Sequence, residues 1–157
     1  MSFDYMSLNP QEMEAHFNPR AAASNVDEKI AAMGADSERA RAAYAHTADI
    51  PYGSSPGETL DVFHPRDGES AQAPVQLFVH GGYWRAMDKS NYSFIAPSFI
   101  DAGGCAVIIN YDLAPAVTLD EIVAQTCRSI AWTYRNIAHY GGDPERIFIS
   151  GNSAGGH

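Results

Sequence analysis

The sequence predicts an α/β fold in which a mostly parallel β-sheet carries helices on both faces. Three apolar runs lead to this prediction: Val75–Val79, Cys105–Ile109 and Ile147–Ser150. Near-continuous apolar runs are typical of parallel strands buried on both faces, and the helical patterns between them supply the crossovers. A polar strand of alternating character, Leu60–His64, precedes them and ends at Pro65, so we expect it at an edge of the sheet.

The first 49 residues are predicted to be a helical segment, a candidate cap, and residues 50–157 the front part of the α/β core. A short helix is expected around Gln11–His16. A longer helical pattern covers residues 24–46, in which Gly34 is expected to break the helix. The second of the two resulting helices would then begin near Asp36 or Ser37 as its cap.

Two further helices are predicted within the core. Residues 90–102 suit a helix, although Pro97 interrupts the middle of that pattern. The strongest helix begins at Thr118, which forms a T-x-x-E capping box with Glu121. One apolar face is expected along it, made of Leu119, Ile122, Val123, Cys127, Ile130, Tyr134 and Ile137. The turn-rich segment Ile50–Gly57 is interpreted as a connector.

Composition and charge narrow the classes of function. The chain has 157 residues, 45% of them hydrophobic, and its net charge of −9 comes without clusters of Lys or Arg, which argues against a nucleic-acid partner. The N-terminus shows neither a signal peptide nor a membrane-spanning stretch, so a cytoplasmic protein without a membrane partner is expected. Cys105 and Cys127 are isolated, as reduced core cysteines would be.

The chemistry of the chain is expected at Ser153. The run Ile147–Ser150 leads directly into Gly151-Asn152-Ser153-Ala154-Gly155, and a strand followed by G-x-S-x-G is the nucleophile elbow of serine hydrolases. Gly151 and Gly155 allow the tight turn, and the helix that begins near Ala154 directs amide donors toward a developing oxyanion. The alternative is an ordinary strand-to-helix turn. The strand predicted directly before the motif favours the nucleophile elbow over that alternative.

A second motif lies where an oxyanion loop belongs. The segment His80–Trp84 reads H-G-G-Y-W and follows a buried strand. Its glycines let the backbone amides of Gly82 and Tyr83 join that of Ala154 as oxyanion donors. His80 precedes the serine, against the chain order of such hydrolases, so its expected role is a ring hydrogen bond that fixes the loop. Gly81 and Trp84 are expected to support the motif. Tyr83 and Trp84 are candidates to line a pocket for an aryl substrate; the alternative for Trp84 is that it packs the loop against the sheet.

The remaining polar candidates are set aside. His157 is four residues beyond Ser153 on the same turn and is rejected as a catalytic base. His64 and His139 are isolated, Asp112 precedes the serine, and no second ligand stands at a zinc-binding spacing from His80. The sequence therefore implies neither a metal nor an organic cofactor.

Together these motifs resemble the hormone-sensitive-lipase-like branch of the α/β-hydrolases. Within that branch the chain is most similar to the kynurenine formamidase (arylformamidase) family, whose oxyanion motif reads H-G-G-x-W. The segments Asn110–Pro115 and Tyr140–Arg146 also resemble this branch, from about Ile50 to the end of the sequence. The resemblance implies an esterase or arylformamidase with Ser153 as nucleophile, the amides of Gly82, Tyr83 and Ala154 as oxyanion hole, and a small ester or formamide as substrate.

The family order of serine, acid and histidine places both partners of Ser153 beyond residue 157. The 157 residues are therefore interpreted as the N-terminal part of the fold, inactive by themselves. One alternative is a truncated, inactive relative or a binding module. A dinucleotide or phosphate binder is a weaker alternative, because neither G-x-G-x-x-G nor G-x-x-x-x-G-K-[ST] occurs.

Overall fold

The computed structural model describes residues 4–18, 24–66 and 72–157. The chain divides into two compact units, Met1–Ala32 and Met33–His157. In the first unit, helix α1 (Pro10–Phe17) confirms the helix expected around Gln11–His16. The Asn9 side chain caps this helix, and the Asn9 backbone N–H donates in return to the Glu12 carboxylate. Pro10 occupies the first turn, where its missing N–H leaves no bond unmade.

Helix α2 (Val26–Ala43) continues through Gly34, so the predicted break was wrong. A single glycine costs a helix only about 1 kcal/mol, and the residues around it are good helix formers. Ser37 is not a cap either: it is fully buried, and its hydroxyl accepts a hydrogen bond from the amide of Phe94 at 3.2 Å. Arg41 donates to the carbonyl of Ser90 and the hydroxyl of Ser93, which ties α2 to the chain after the third strand.

The second unit is built on a five-stranded sheet with the order β1-β2-β4-β3-β5. Strands β3, β4 and β5 are parallel; β2 pairs antiparallel with β4, and β1 pairs antiparallel with β2. The expected α/β class with a largely parallel sheet is thereby confirmed. The strand bounds are β1 His46–Pro51, β2 Thr59–Phe63, β3 Ala73–Val79, β4 Cys105–Ile109 and β5 Gly142–Gly151.

The edge of the sheet differs from the prediction. Strand β2 lies between β1 and β4, and β1 is the edge strand that the sequence pattern did not reveal. A register shift between Thr47 and Ile50, with Asp49 at φ 55°, interrupts the alternation by which a strand is recognised. Polar alternation in β2 was misleading because Asp61 is fully buried and paired with a lysine.

Helices cover both faces of the sheet, as expected. On one face lies helix α4 (Leu119–Asn136), over a core that includes Leu77 and Val107. On the other lies the short helix α3 (Ala96–Asp101), whose Ile100 packs with Phe63 and Ile108. The helix expected over residues 90–102 is reduced to α3 and two 3₁₀ turns, because Pro97 fits only within the first turn of a helix.

The predicted apolar face of α4 was wrong in part. Ile122 is buried, but Leu119, Val123 and Tyr134 are about half exposed, and the other buried positions of the helix are polar: Gln125, Ser129 and Thr133. Cys127 is exposed as well, so the expectation of a core cysteine holds for Cys105 and was wrong for Cys127. Hydroxyl groups can face a core when a backbone carbonyl accepts their proton, and both Ser129 and Thr133 donate within the helix. Among the described helices, none has the length and apolar character needed to cross a membrane.

Candidate active site

Ser153 lies directly after the last strand, on a strained turn. Strand β5 ends at Gly151, and a 3₁₀ turn covers Ser153–Gly155. The backbone of Ser153 has a φ of 52°, a left-handed conformation that costs a non-glycine residue roughly 1–3 kcal/mol. Ser153 is exposed, while Ala154 is buried beneath the turn. The strand and the tight turn of the motif are present, and the helix expected to begin near Ala154 is represented by a single 3₁₀ turn.

The two glycines of the motif are needed for close packing. A Cβ atom at Gly151 would overlap the carbonyl of Gly155, and one at Gly155 would overlap the carbonyl oxygen of Val79, at the end of β3. The amide of Asn152 donates to that same carbonyl at 3.2 Å. The turn therefore lies directly against the carboxyl end of β3, where the H-G-G-Y-W segment begins.

The loop that follows β3 lies against the turn at Ser153. A Cβ atom at Gly81 would lie 2.7 Å from the carbonyl oxygen of Asn152 and 3.3 Å from the Cβ atom of Ser153. Gly82 has a φ of 127°, and its carbonyl accepts from the amides of Arg85 and Ala86, which closes a turn. The backbone of the H-G-G-Y-W segment thus passes beside the serine.

Strain continues along this loop. Tyr83 and Trp84 have φ values of 56° and 58°, and Met87 has one of 74°. A cluster of left-handed non-glycine residues persists only where surrounding contacts hold it. One such contact is the hydrogen bond from the amide of Ala114 to the carbonyl of Trp84, at 2.8 Å, which joins the loop to the segment after β4.

His80 is enclosed below the loop. It is fully buried, its ring stacks on that of Tyr111 at 4.2 Å, and its own carbonyl accepts from the Tyr111 hydroxyl. Nδ1 lies 2.7 Å from the carbonyl oxygen of Gly81, and Nε2 lies 3.0 Å from Oδ1 of Asn110. Burial lowers the pKa of His80 despite these two bonds. With both ring nitrogens engaged, His80 has no free nitrogen to offer as a base.

The two aromatic residues of the loop have different surroundings. Trp84 packs against the apolar core, and its ring meets that of His157 edge-on at 5.2 Å. Tyr83 is 64% exposed. Trp84 therefore serves to pack the loop, and Tyr83 is the aromatic side chain of the two that is open to a ligand.

Two of the polar residues set aside in the sequence analysis, His64 and Asp112, form contacts with residues other than Ser153. The ring of His64 lies 3.0 Å from the hydroxyl of Thr47 and stacks on Tyr140. Asp112 accepts from the amide of Gly57 and from Gln125; burial raises its pKa, but these bonds outweigh that effect and hold the pKa below its usual range. Over the described ranges, no cluster of His, Cys, Asp or Glu is arranged to hold a metal ion.

Sequence reasoning missed two residues of the site, Asp88 and Asn110. Asn110 follows β4 immediately and contacts His80, and Asp88 accepts a hydrogen bond from Asn110 at 2.8 Å. A polar residue directly after a buried strand is a usable signal, because the carboxyl ends of parallel strands form the ligand-binding edge of such sheets. Asp88 has no comparable signal, since only the fold brings it to Asn110.

Comparisons with known proteins identify the family of the chain. Residues 60–157 match the family model described as BD-FAE. Kynurenine formamidase of Danio rerio is 31% identical over 98% of the chain and 53% of that protein, and the esterase LipQ of Mycobacterium tuberculosis is 39% identical over 72% of the chain and 28% of that protein. The chain spans about half the length of the formamidase relative.

A solved structure shares the fold of this chain. A crystal structure from Silicibacter sp. TM1040, described as a presumed thioesterase, superposes with a TM-score of 0.80 at 26% identity, over 93% of this chain and 53% of that one. The sheet order, the turn at Ser153 and the family match lead to one assignment. The chain belongs to the BD-FAE family and corresponds to the N-terminal part of an α/β-hydrolase of the hormone-sensitive-lipase-like branch.

Proposed function

We propose that the protein is a serine hydrolase of carboxylic esters or aryl formamides and that Ser153 is its nucleophile. The observation that carries this proposal is the exposed serine on a left-handed turn, with the glycine loop of residues 81–82 against it. A serine held in this way presents its hydroxyl oxygen to a bound carbonyl group. Hydrolysis of esters or amides is also the activity named for the relatives.

In the proposed reaction the oxygen of Ser153 attacks the substrate carbonyl carbon and passes its proton to a histidine base. The amides of Gly82, Tyr83 and Ala154 donate to the oxyanion of the tetrahedral intermediate. Collapse of the intermediate breaks the bond to the leaving group, which receives the proton, and an acyl- or formyl-enzyme remains. A water molecule then attacks that ester, releases the acid and restores the serine hydroxyl. No step requires a metal or an organic cofactor.

The base and its acid are proposed to come from beyond residue 157. His80 is engaged through both ring nitrogens and is therefore not proposed as the base. The chain spans 53% of the formamidase relative and 28% of the esterase relative, which leaves room in those proteins for a later acid and histidine. The chain order expected for this class of hydrolase is serine, acid, histidine.

The substrate class is proposed from the relatives and from Tyr83. One relative is a kynurenine formamidase and another an esterase, so N-formylkynurenine-like aryl formamides and simple esters are the two candidates. The exposed ring of Tyr83 follows the oxyanion glycines directly and is available to stack on an aryl group. An aryl formamide is therefore the substrate to be tested first.

The test uses the full-length protein and the variant Ser153→Ala. Hydrolysis of p-nitrophenyl acetate and N-formylkynurenine should fall by roughly 10⁶-fold, because removal of a serine nucleophile removes the acyl-enzyme route. Ser150→Ala is the matched control: it removes a hydroxyl three residues earlier that binds Gln76, and it should retain activity. Undiminished turnover by Ser153→Ala would contradict the proposal.

A second candidate is an inactive relative or binding module that consists of these residues alone. The expected chain order of serine, acid and histidine, which places both partners of Ser153 after residue 157, favours it for the isolated segment. Residues 1–157 expressed alone should then give no more than trace turnover of either substrate. Ser153-dependent labelling of that segment by a fluorophosphonate probe would show instead that it needs no further residues.

A further inference from the structure

Tyr111 contacts the point at which the H-G-G-Y-W segment meets the serine turn, and the proposed reaction gives it no role. It lies two residues after β4, it is buried, and its hydroxyl donates to the backbone carbonyl of His80 at 2.8 Å. A Cβ atom at Gly155 would lie 2.6 Å from that same carbonyl oxygen. The Tyr111 hydroxyl therefore binds a backbone oxygen of the segment that lies against the turn containing Ser153.

The carbonyl of His80 lies just beyond the part of β3 that the sheet holds. Val79 is the last residue of β3 that pairs with β4 and with β5. After His80 the backbone has positive φ angles at each of the residues 82–84, and such conformations persist only where surrounding contacts hold them. The bond from Tyr111 thus fixes the strained segment at its first residue, where the support of the sheet ends.

Tyr111 is itself held firmly, which gives its hydroxyl a fixed position. Its ring belongs to the apolar core and stacks on the ring of His80 at 4.2 Å, with the two planes 6° apart. The next residue, Asp112, donates its backbone N–H to the side chain of Gln125 on α4 and accepts in return from the amide nitrogen of that side chain. Burial raises the pKa of Tyr111 to about 12, so the hydroxyl keeps its proton and remains a donor.

We propose that Tyr111 is a positioning residue that keeps the H-G-G-Y-W segment in place beside Ser153. Its hydroxyl holds the carbonyl of His80 against the serine turn, and its ring limits the movement of the His80 side chain. This inference rests on the proposed function, in which the segment supplies oxyanion donors. It adds to that function the contact that holds the segment and the nucleophile together.

The experiment compares Tyr111→Phe with Tyr52→Phe in the full-length protein. Tyr111→Phe keeps the stacked ring and removes only the hydroxyl. Its kcat should fall about 10-fold or more while KM stays within about threefold, because a displacement of about 1 Å in a catalytic site can cost about 10²-fold in rate.

Tyr52→Phe is the matched control. Tyr52 is also a buried phenol, and its hydroxyl also donates to a backbone carbonyl, that of Asn110, at 2.6 Å. Each variant therefore loses one buried hydrogen bond to the backbone, and both should lower the melting temperature by a similar amount. Only Tyr111 reaches the H-G-G-Y-W segment in this way, so kcat of Tyr52→Phe should stay within about twofold of the wild type.

A second measurement separates positioning from a purely structural role. An aryl trifluoromethyl ketone forms a tetrahedral adduct with a serine nucleophile, and the adduct resembles the charged intermediate more closely than a bound substrate does. Its inhibition constant should rise in Tyr111→Phe by about the same factor by which kcat/KM falls. In Tyr52→Phe the inhibition constant should equal that of the wild type.

The outcomes separate this inference from the proposed function. If Ser153→Ala abolishes hydrolysis but Tyr111→Phe keeps the kcat of the wild type, the positioning role is wrong and the serine mechanism stands. The same conclusion follows if Tyr52→Phe loses as much kcat as Tyr111→Phe, or if Tyr111→Phe loses kcat without any change in the inhibition constant. If Ser153→Ala remains active, the proposed function fails, and this inference fails with it.

Discussion

At the scale of single residues, the site combines a strained serine with a buried histidine. The left-handed backbone of Ser153 is tolerated because Gly151 and Gly155 allow the turn to pack against the end of β3. His80 differs from the exposed Ser153 because it is fully buried, and its ring lies against the rings of Tyr92 and Tyr111. Its titration should therefore be visible in the stability of the protein.

Acidification should destabilise the protein through His80 before it affects the carboxylates. Because burial lowers the pKa of His80 in the folded state from the ordinary 6.5, protons bind more readily to the unfolded chain. The stabilisation is complete above about pH 6.5 and is lost as the pH falls, by at most about 1.4 kcal/mol per pH unit. Urea titrations of the full-length protein between pH 7 and 5 measure this slope.

The matching variant is His80→Gln, which removes the titrating group. Its free energy of unfolding should depend less on pH in this range than that of the wild type. Glu58, Asp88 and Asp112 also have lowered pKa values, but they begin from about 4.5 or below and act at more acidic pH. Equal slopes for the two proteins between pH 7 and 5 would contradict the prediction.

At the scale of elements, a buried ion pair joins β2 to the segment after the oxyanion loop. The ammonium group of Lys89 lies 2.7 Å from Asp61 on β2 and 2.6 Å from Asp49 on β1. Lys89 and Asp61 are both nearly inaccessible to solvent. Burial lowers the pKa of Lys89, but the two carboxylates outweigh that effect and raise it, so the lysine remains charged.

Lys89→Met should destabilise the protein by about 3–5 kcal/mol, because it leaves the carboxylate of Asp61 buried without a cation. The double variant Lys89→Met with Asp61→Leu should recover most of that loss, since an apolar pair of similar size leaves no buried charge. Chemical denaturation measures both effects. Arg146→Met, which removes a cation from an exposed pair with Asp143, is the control and should behave as the wild type.

At the scale of the whole molecule, β5 is the least covered strand. It pairs only with β3 among the described strands, and Phe148 and Ile149, which point to opposite faces of the sheet, are 60% and 52% exposed. An apolar strand with an open edge is a site for pairing with further chain. In an α/β-hydrolase about twice as long as these residues, we expect additional strands and helices to cover this edge.

Ile149→Asp should therefore destabilise the full-length protein by about 2–4 kcal/mol, because it would place a carboxylate in a covered, apolar environment. Ala131→Asp, at an exposed position on α4, is the control and should change the stability by less than about 0.5 kcal/mol. Thermal and urea denaturation measure the difference. If both variants are equally stable, β5 remains an open edge in the complete protein.

Several local features of this protein were predictable, because their physics lies within a few neighbouring residues. The runs Val75–Val79 and Cys105–Ile109 are largely apolar, as strands covered on both faces of a sheet are, and both are strands in the sheet. The glycine pattern around Ser153 likewise specifies a tight turn after a strand. Where a pattern was less uniform, as in β1 with its polar bulge or in α2 at Gly34, the prediction was wrong.

The sequence by itself therefore determined the α/β class, the family and the place of Ser153 after the last strand. Only the tertiary structure decided which strand lies at the edge, which face of α4 is buried, and that Asn110 lies between Asp88 and His80. The reason is the range of the interactions. Backbone strain and apolar runs act between neighbours, whereas the partner of a buried polar group is chosen by residues that are distant in sequence and adjacent only after folding.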